Sequence, residues 1–169
     1  MRIIVFSDTH QNTALLRRAA LQAIADGPVD ILIHCGDGVR DLDCIEGDLL
    51  RANPNIRIYA VRGNCDLGMS QYPLTEIVAL QDRKILVTHG HALQVKHSLG
   101  ALAKAAGEVG ADIACFGHTH QPLIREKHGV TLINPGSLAS YSLTDTAYLE
   151  IMIDSHSNIR ENFIKRSIK

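Results

Sequence analysis

Tryptophan is absent from this 169-residue chain, and Phe and Tyr together bring the aromatic share to only 4%. So few π-faces leave no stacking platform for the bases of a single-stranded nucleic acid. Charge of one sign is lacking too. Lys and Arg number 17 against 18 Asp and Glu, giving a formal net charge of -1. No run of Lys or Arg disturbs that balance, so no global field attracts a polyanion or an anionic membrane surface. The four cysteines, Cys35, Cys44, Cys65 and Cys115, form no C-x-x-C pair, which argues against a thiolate zinc site. Long hydrophobic runs are also missing. The opening stretch turns polar after Ile3 to Phe6, too short for a signal-peptide core or a membrane span. The expectation is a cytoplasmic chain with reduced thiols, no membrane partner, and nucleic acid disfavoured as a ligand.

What is present fits one globular domain over 1–169, with 46% hydrophobic and 21% charged residues. Short β-branched runs recur at Ile3 to Phe6, Ile31 to Ile33, Ile58 to Val61, Ile85 to Val87 and Ile113 to Phe116. Their continuous apolarity predicts strands covered on both faces. Helices are expected between them: Thr13 to Ala25, a second around Leu42, Ile45 and Leu49 capped by Asp41, and a third from Val95 through Leu99, Leu102 and Ala106, ended by Gly107. Tyr72 to Leu80 and Arg83 to Thr88 read as a hairpin turning at Gln81-Asp82. After Pro122 strands follow one another directly: Leu123 to Lys127, Val130 to Ile133, Ala147 to Ile153 and Ile159 to Ile164, with turns at Lys127-His128-Gly129 and Ser155 to Asn158. The expected class is α/β with two sheets, at least one of them mixed, and helices outside.

Nine histidines are many for this length, and several fall beside Asp. Each of the five apolar runs is followed by a polar cluster: Asp8-Thr9-His10, Gly36-Asp37, Gly63-Asn64-Cys65-Asp66, His89-Gly90-His91 and Gly117-His118-Thr119-His120. Carboxyl ends of strands are where open α/β sheets bind ligands, so the five clusters should converge. Residues i and i+2 of extended chain point the same way, which would pair Asp8 with His10 and His118 with His120. Each cluster alone is weak; the ordered set after five strands is specific to a metal site. Imidazole with carboxylate suits Mn, Fe, Zn or Ni better than Ca or Mg.

These five clusters resemble the motifs of the calcineurin-like metallophosphoesterases. The short length and Ile133-Asn134-Pro135-Gly136-Ser137 resemble the family's small prokaryotic phosphodiesterase branch. The resemblance implies a four-layer α/β/β/α sandwich with two divalent cations, Mn²⁺ foremost, although the ligand set leaves Zn, Fe and Ni open. It assigns Asp8, His10 and His120 to one metal and Asn64, His89 and His118 to the other, with Asp37 as the bridge. The implied activity is hydrolysis of a small phosphate ester, a phosphodiester foremost, by a metal-activated water. Many members carry His where this chain has Cys65, so leaving-group protonation is open between Cys65, His91 and no acid at all. The alternatives are a non-catalytic protein-binding scaffold on the same fold and a nuclease. A homo-oligomer is compatible with all three.

Other residues receive a structural expectation. His34 and Cys35 should lie near the core, and Cys44 and Cys115 should be small buried apolar groups. His97, His128 and His156 should be solvated. Asp66 should hold a backbone turn. Arg40 and Arg62 could reach phosphate, with a surface role the stronger expectation.

Overall fold

The sequence folds into ten strands and three helices in the computed structural model, which describes residues 1–142, 146–155 and 158–165. The expected solvation of His156 and part of the Ser155 to Asn158 turn lie outside those residues. The first half alternates strand and helix: β1 (Arg2–Phe6), α1 (Thr13–Ala25), β2 (Ile31–His34), α2 (Val39–Ala52) and β3 (Arg57–Ala60). There follow β4 (Thr75–Ala79), β5 (Lys84–Thr88), α3 (Gly100–Glu108), β6 (Ile113–Cys115), β7 (Leu123–Lys127), β8 (Val130–Asn134), β9 (Thr146–Ile153) and β10 (Ile159–Lys165).

Both sheets are mixed. The first runs β10-β9-β1-β2-β3, with β1, β2 and β3 parallel and β9 antiparallel to β1. The second runs β4-β5-β6-β8-β7, with β5, β6 and β8 parallel and both edge strands antiparallel. Side-chain alternation divides the apolar runs between two interfaces. Ile3, Val5, Ile31 and Ile33 meet Val78, Ile85, Val87, Ile113 and Ile133 between the sheets. Ile4, Phe6 and Leu32 pack instead on Leu16 and Ala20 of α1 and Leu42, Ile45 and Leu49 of α2. Leu86, Ala114 and Leu132 turn the other way, onto Leu102, Ala103 and Ala106 of α3. The result is the four-layer α/β/β/α sandwich. Burying each large aliphatic or Phe side chain stabilises it by about 1.5–3 kcal/mol.

Local departures have local causes. The second helix starts at Val39 with Gly38 as its cap residue, so Asp41 falls inside the first turn and caps nothing. The third helix starts only at Gly100 and runs past Gly107. Val95 is buried from a turn, its N–H bonded to Gly90 O at 3.3 Å, which counterfeits a helical spacing. Cys44 is exposed, because the core face of α2 is already filled by Leu42, Ile45 and Leu49.

Candidate metal centre

All five polar clusters stand at one end of the two sheets, in loops just past β1, β2, β3, β5 and β6. The backbone there is not extended. Asp8, His10, Asp37, His118 and His120 have φ of 53°, 46°, 55°, 66° and 59°. The extended i, i+2 argument therefore fails: these five residues are held in left-handed turns. Each such turn costs an L-residue about 1–2 kcal/mol, and strain of this kind concentrates at functional sites. Glycines let these loops approach one another closely. A Cβ on Gly63 would collide with the Asp37 carboxylate, and one on Gly117 with Ser7 Oγ and Asp8 Oδ2.

The two carboxylates are built alike. Asp8 is fully buried. Its Oδ2 accepts from Ser7 Oγ at 2.6 Å and from the His118 N–H at 3.0 Å. Its Oδ1 makes no hydrogen bond, yet lies 3.1 Å from His120 Nε2, 3.7 Å from His10 Nε2 and 4.0 Å from His89 Nε2. Asp37, only 3% exposed, accepts from the Cys65 N–H through Oδ1 at 2.7 Å. Its Oδ2 lies 3.2 Å from His89 Nε2 and 3.8 Å from His10 Nε2. Each acid spends one oxygen on protein donors and turns the other toward imidazoles.

His89 is oriented to match. Its Nδ1 meets Cys35 O at 2.7 Å, which fixes the proton there and leaves the Nε2 lone pair facing inward. That buried Nε2 also lacks a hydrogen-bond partner. The ligand atoms of Asp8, His10 and His120 lie within 4.8 Å of one another, and so do those of Asp37, His89 and His118. A third set joins His10 and Asp37 to Cys65. Asn64 is exposed and donates its side-chain amide to Cys65 Sγ at 3.3 Å; no described contact joins it to either three-residue cluster.

Without cations the cluster calls for positive charge. Burial opposes ionisation of Asp8, but His10 and His120 outweigh it and hold the carboxyl well below the usual range. Burial likewise opposes ionisation of Asp37, and contacts with His89 and the Cys65 N–H bring it down to about 2. His10 is raised by its contact with Asp8. His89 is raised by Asp37 and Asp8 in spite of its burial. Burial and the neighbouring His89 push His118 down to about 4, so its lone pair is free at neutral pH. Burial and Asp37 push the Cys65 thiol up to about 11. Burial and His89 lower His91, whose Nδ1 is buried without a partner and whose ring lies 5.4 Å from that of His89.

Supporting residues tie the loops together. Asp66 accepts from the N–H groups of Asp37, Gly38, Val39 and Gly63 at 2.7, 2.8, 3.1 and 2.8 Å. It holds a turn, as expected, and also locks the Asp37 loop to the Asn64 loop while capping α2 from a distance. Asp41, expected only as a cap, receives Thr9 Oγ1, the Gln11 N–H and Thr13 Oγ1, bracing the His10 loop. Asn134 donates to Gly117 O and Thr119 Oγ1 at 2.9 and 3.1 Å, and Ser137 Oγ to Asp8 O at 2.8 Å. Tyr141 went unforeseen; its ring stands 5.7 Å from that of His10. Arg62 is spent on the carbonyls of Ser70 and Tyr72. Arg40 donates to Leu67 O at the rim of a cleft of about 410 Å³ whose walls include His10, Asp37 and Cys65. His34 and Cys35 are fully buried, and His97 and His128 are exposed.

The same arrangement of sequence and fold is found in known proteins. A probable metallophosphoesterase of Bacillus subtilis is 36% identical over 82% of this chain and 75% of its own length. A phosphodiesterase of Methanocaldococcus jannaschii is 31% identical over 95% of this chain and 98% of its own. The crystal structure of a predicted phosphoesterase from Streptococcus pneumoniae superposes with a TM-score of 0.78 at 27% identity, covering 98% of this chain and 89% of that one. No helix among the described residues is long and apolar enough to cross a membrane. Residues 1–157, which carry every motif of the centre, match the calcineurin-like phosphoesterase superfamily domain, and the chain belongs to that family of metal-dependent hydrolases.

Proposed function

We propose that the chain is a two-cation phosphodiesterase, with one cation on Asp8, His10 and His120, the other on His89, His118 and Asn64, and Asp37 between them. One observation carries the reading. Asp8 Oδ1 and His89 Nε2 are both buried, both without hydrogen bonds, and 4.0 Å apart. Asp8 Oδ1 faces His120 Nε2 at 3.1 Å and His89 Nε2 faces Asp37 Oδ2 at 3.2 Å, and cations between these groups satisfy all of them at once. Asn64 joins the set through its amide oxygen, with its Nδ2 left on Cys65 Sγ.

When bound, a pair of divalent cations neutralises phosphoryl oxygens and lowers the pKa of a water toward about 7, supplying a nucleophile. The chain's own residues do the rest. Ser7 and the His118 N–H hold Asp8; the Cys65 N–H holds Asp37; Cys35 O sets the His89 tautomer. The cleft of about 410 Å³ beside His10, Asp37 and Cys65 receives a small ester. Neither nearby proton carrier is a strong acid. Cys65 is a thiol, and in the metal-free chain burial and Asp37 raise it further, while burial and His89 lower His91. Esters whose leaving group departs without a proton are therefore favoured, so aryl phosphodiesters come ahead of alkyl esters. Mn²⁺ is the proposed native cation, and the cytoplasm the proposed location.

Hydrolysis of bis(p-nitrophenyl) phosphate by the Mn²⁺-loaded chain, set against oligonucleotides and alkyl monoesters, tests this. The aryl diester should be cleaved fastest. Preference for oligonucleotides would favour the nuclease reading, and no cleavage of any ester by fully loaded protein would favour the scaffold.

A further inference from the structure

The third cluster shares His10 and Asp37 with the other two and adds Cys65, a side chain that the two-cation reading leaves unused. Cys65 Sγ, a ring nitrogen of His10 and a carboxylate oxygen of Asp37 lie within 4.8 Å of one another. The Cys65 backbone N–H is anchored on Asp37 Oδ1 at 2.7 Å, so its side chain departs from a point tied to the centre. Asn64 Nδ2 donates to the sulfur at 3.3 Å and favours negative charge there. Asp8 Oδ1 and His89 Nε2, both on fully buried residues, are unpartnered and face the same donors. Cys65 also lines the cleft by which an ester reaches the centre.

Donor softness makes this overlap consequential. Oxygen donors suit Mn²⁺, whereas thiolate selects softer cations such as Zn²⁺. We propose that Cys65 is a conditional metal ligand: thiophilic divalent cations (Zn²⁺, Co²⁺, Cd²⁺) recruit its thiolate to the His10–Asp37 side of the centre, and Mn²⁺ does not. The thiol proton passes to solvent as the sulfur–metal bond forms. Because Cys65 lines the cleft, a zinc form held by its thiolate would be tighter and less open to substrate than the manganese form. The identity of the cation then sets how open the site is. This inference rests on the two-cation reading above.

Cobalt reports occupancy and ligand type separately, through visible d–d bands and a near-ultraviolet thiolate charge-transfer band. The full chain, stripped of metal and titrated with CoCl₂, should show both. Cys65→Ser should keep the d–d bands and lose the charge-transfer band, and Cys44→Ser, on the outer face of α2, should keep both. In parallel titrations Cys65→Ser should lose at least about tenfold in zinc affinity, the loss typical even of an outer-shell partner. Its manganese affinity should change by less than about twofold, because Mn²⁺ does not seek sulfur. Cobalt-loaded wild type without a charge-transfer band overturns this inference and leaves the two-cation reading standing. A band that survives Cys65→Ser places the thiolate elsewhere and also overturns it. A chain that takes up no cobalt, zinc or manganese overturns both readings.

Discussion

The two sheets contribute unequally to the centre. The sheet holding β1 and β2 supplies the acids, Asp8 and Asp37, at 0% and 3% exposure. Both are pinned by donors from Ser7, His118 and Cys65. The sheet holding β5 and β6 supplies imidazoles. Of these, His89 is buried and fixed, whereas His118 and His120 are half-exposed on the Gly117 loop. The negative charge that demands cations is therefore set rigidly in the interior. His118 and His120 stand nearer the open side, together with Cys65.

Removing a buried acid should therefore hurt far more than removing a partly buried imidazole. Asp8→Asn keeps the shape and the Ser7 contact but removes the charge that Oδ1 turns toward three histidines. Its kcat/KM on an aryl diester should fall by well over about 10²-fold, beyond what loss of an outer-shell partner costs. His120→Asn should fall less. Equal losses would erase the contrast between the two halves.

The next effect sharpens the contrast between ligands and their supports. Asp66 belongs to none of the candidate metal clusters, yet four N–H groups of the Asp37 and Gly63 loops converge on it. Asp66→Asn should lower metal affinity about 10–100-fold, as loss of an outer-shell partner does. It should also lower Tm, since a carboxylate acceptor worth about 1.5–3 kcal/mol per bond is weakened. Isothermal metal titration and a thermal melt check the two halves of this expectation. An unchanged affinity with a lowered Tm would reduce Asp66 to a turn former.

These supports mark where sequence reading stopped. The strands were legible because Ile3–Phe6 and its counterparts are continuous apolar runs between glycines and polar clusters. The convergence of Asp8, Asp37, His89, His118 and His120 followed from their places after strands. The left-handed backbone beneath Asp8, Asp37, His118 and His120 did not, because Asp and His signal a positive φ far less plainly than glycine does. Asp41 shows the same limit. Four positions before Ile45 it looks like a cap, but its partners Thr9, Gln11 and Thr13 belong to another loop. Val95 misled for the reverse reason: a turn can bury an apolar side chain at helical spacing.

A smaller effect separates the halves by pH. In metal-free protein His10 and His89 are raised by the acids. That stabilisation is full below the unfolded value of about 6.5 and is lost as pH climbs through the folded values. His91 and His118 are lowered, so they act below about 6.5 and leave the alkaline window clear. Metal-free protein should thus lose Tm as pH rises above about 6.5. The loaded protein should gain relative to it, because binding displaces those protons. Differential scanning fluorimetry with and without chelator gives the difference. A metal increment that shrinks with rising pH would contradict the histidine assignment.

The central claim is that one buried carboxylate joins two cations, and metal content in Asp37→Asn tests it most directly. Wild type dialysed against Mn²⁺ should hold about two cations per chain by elemental analysis. Asp37→Asn should hold fewer than about one, because each site loses a ligand and the charge they share. A folded Asp37→Asn protein that still binds two would contradict the bridge and the shared centre built around it.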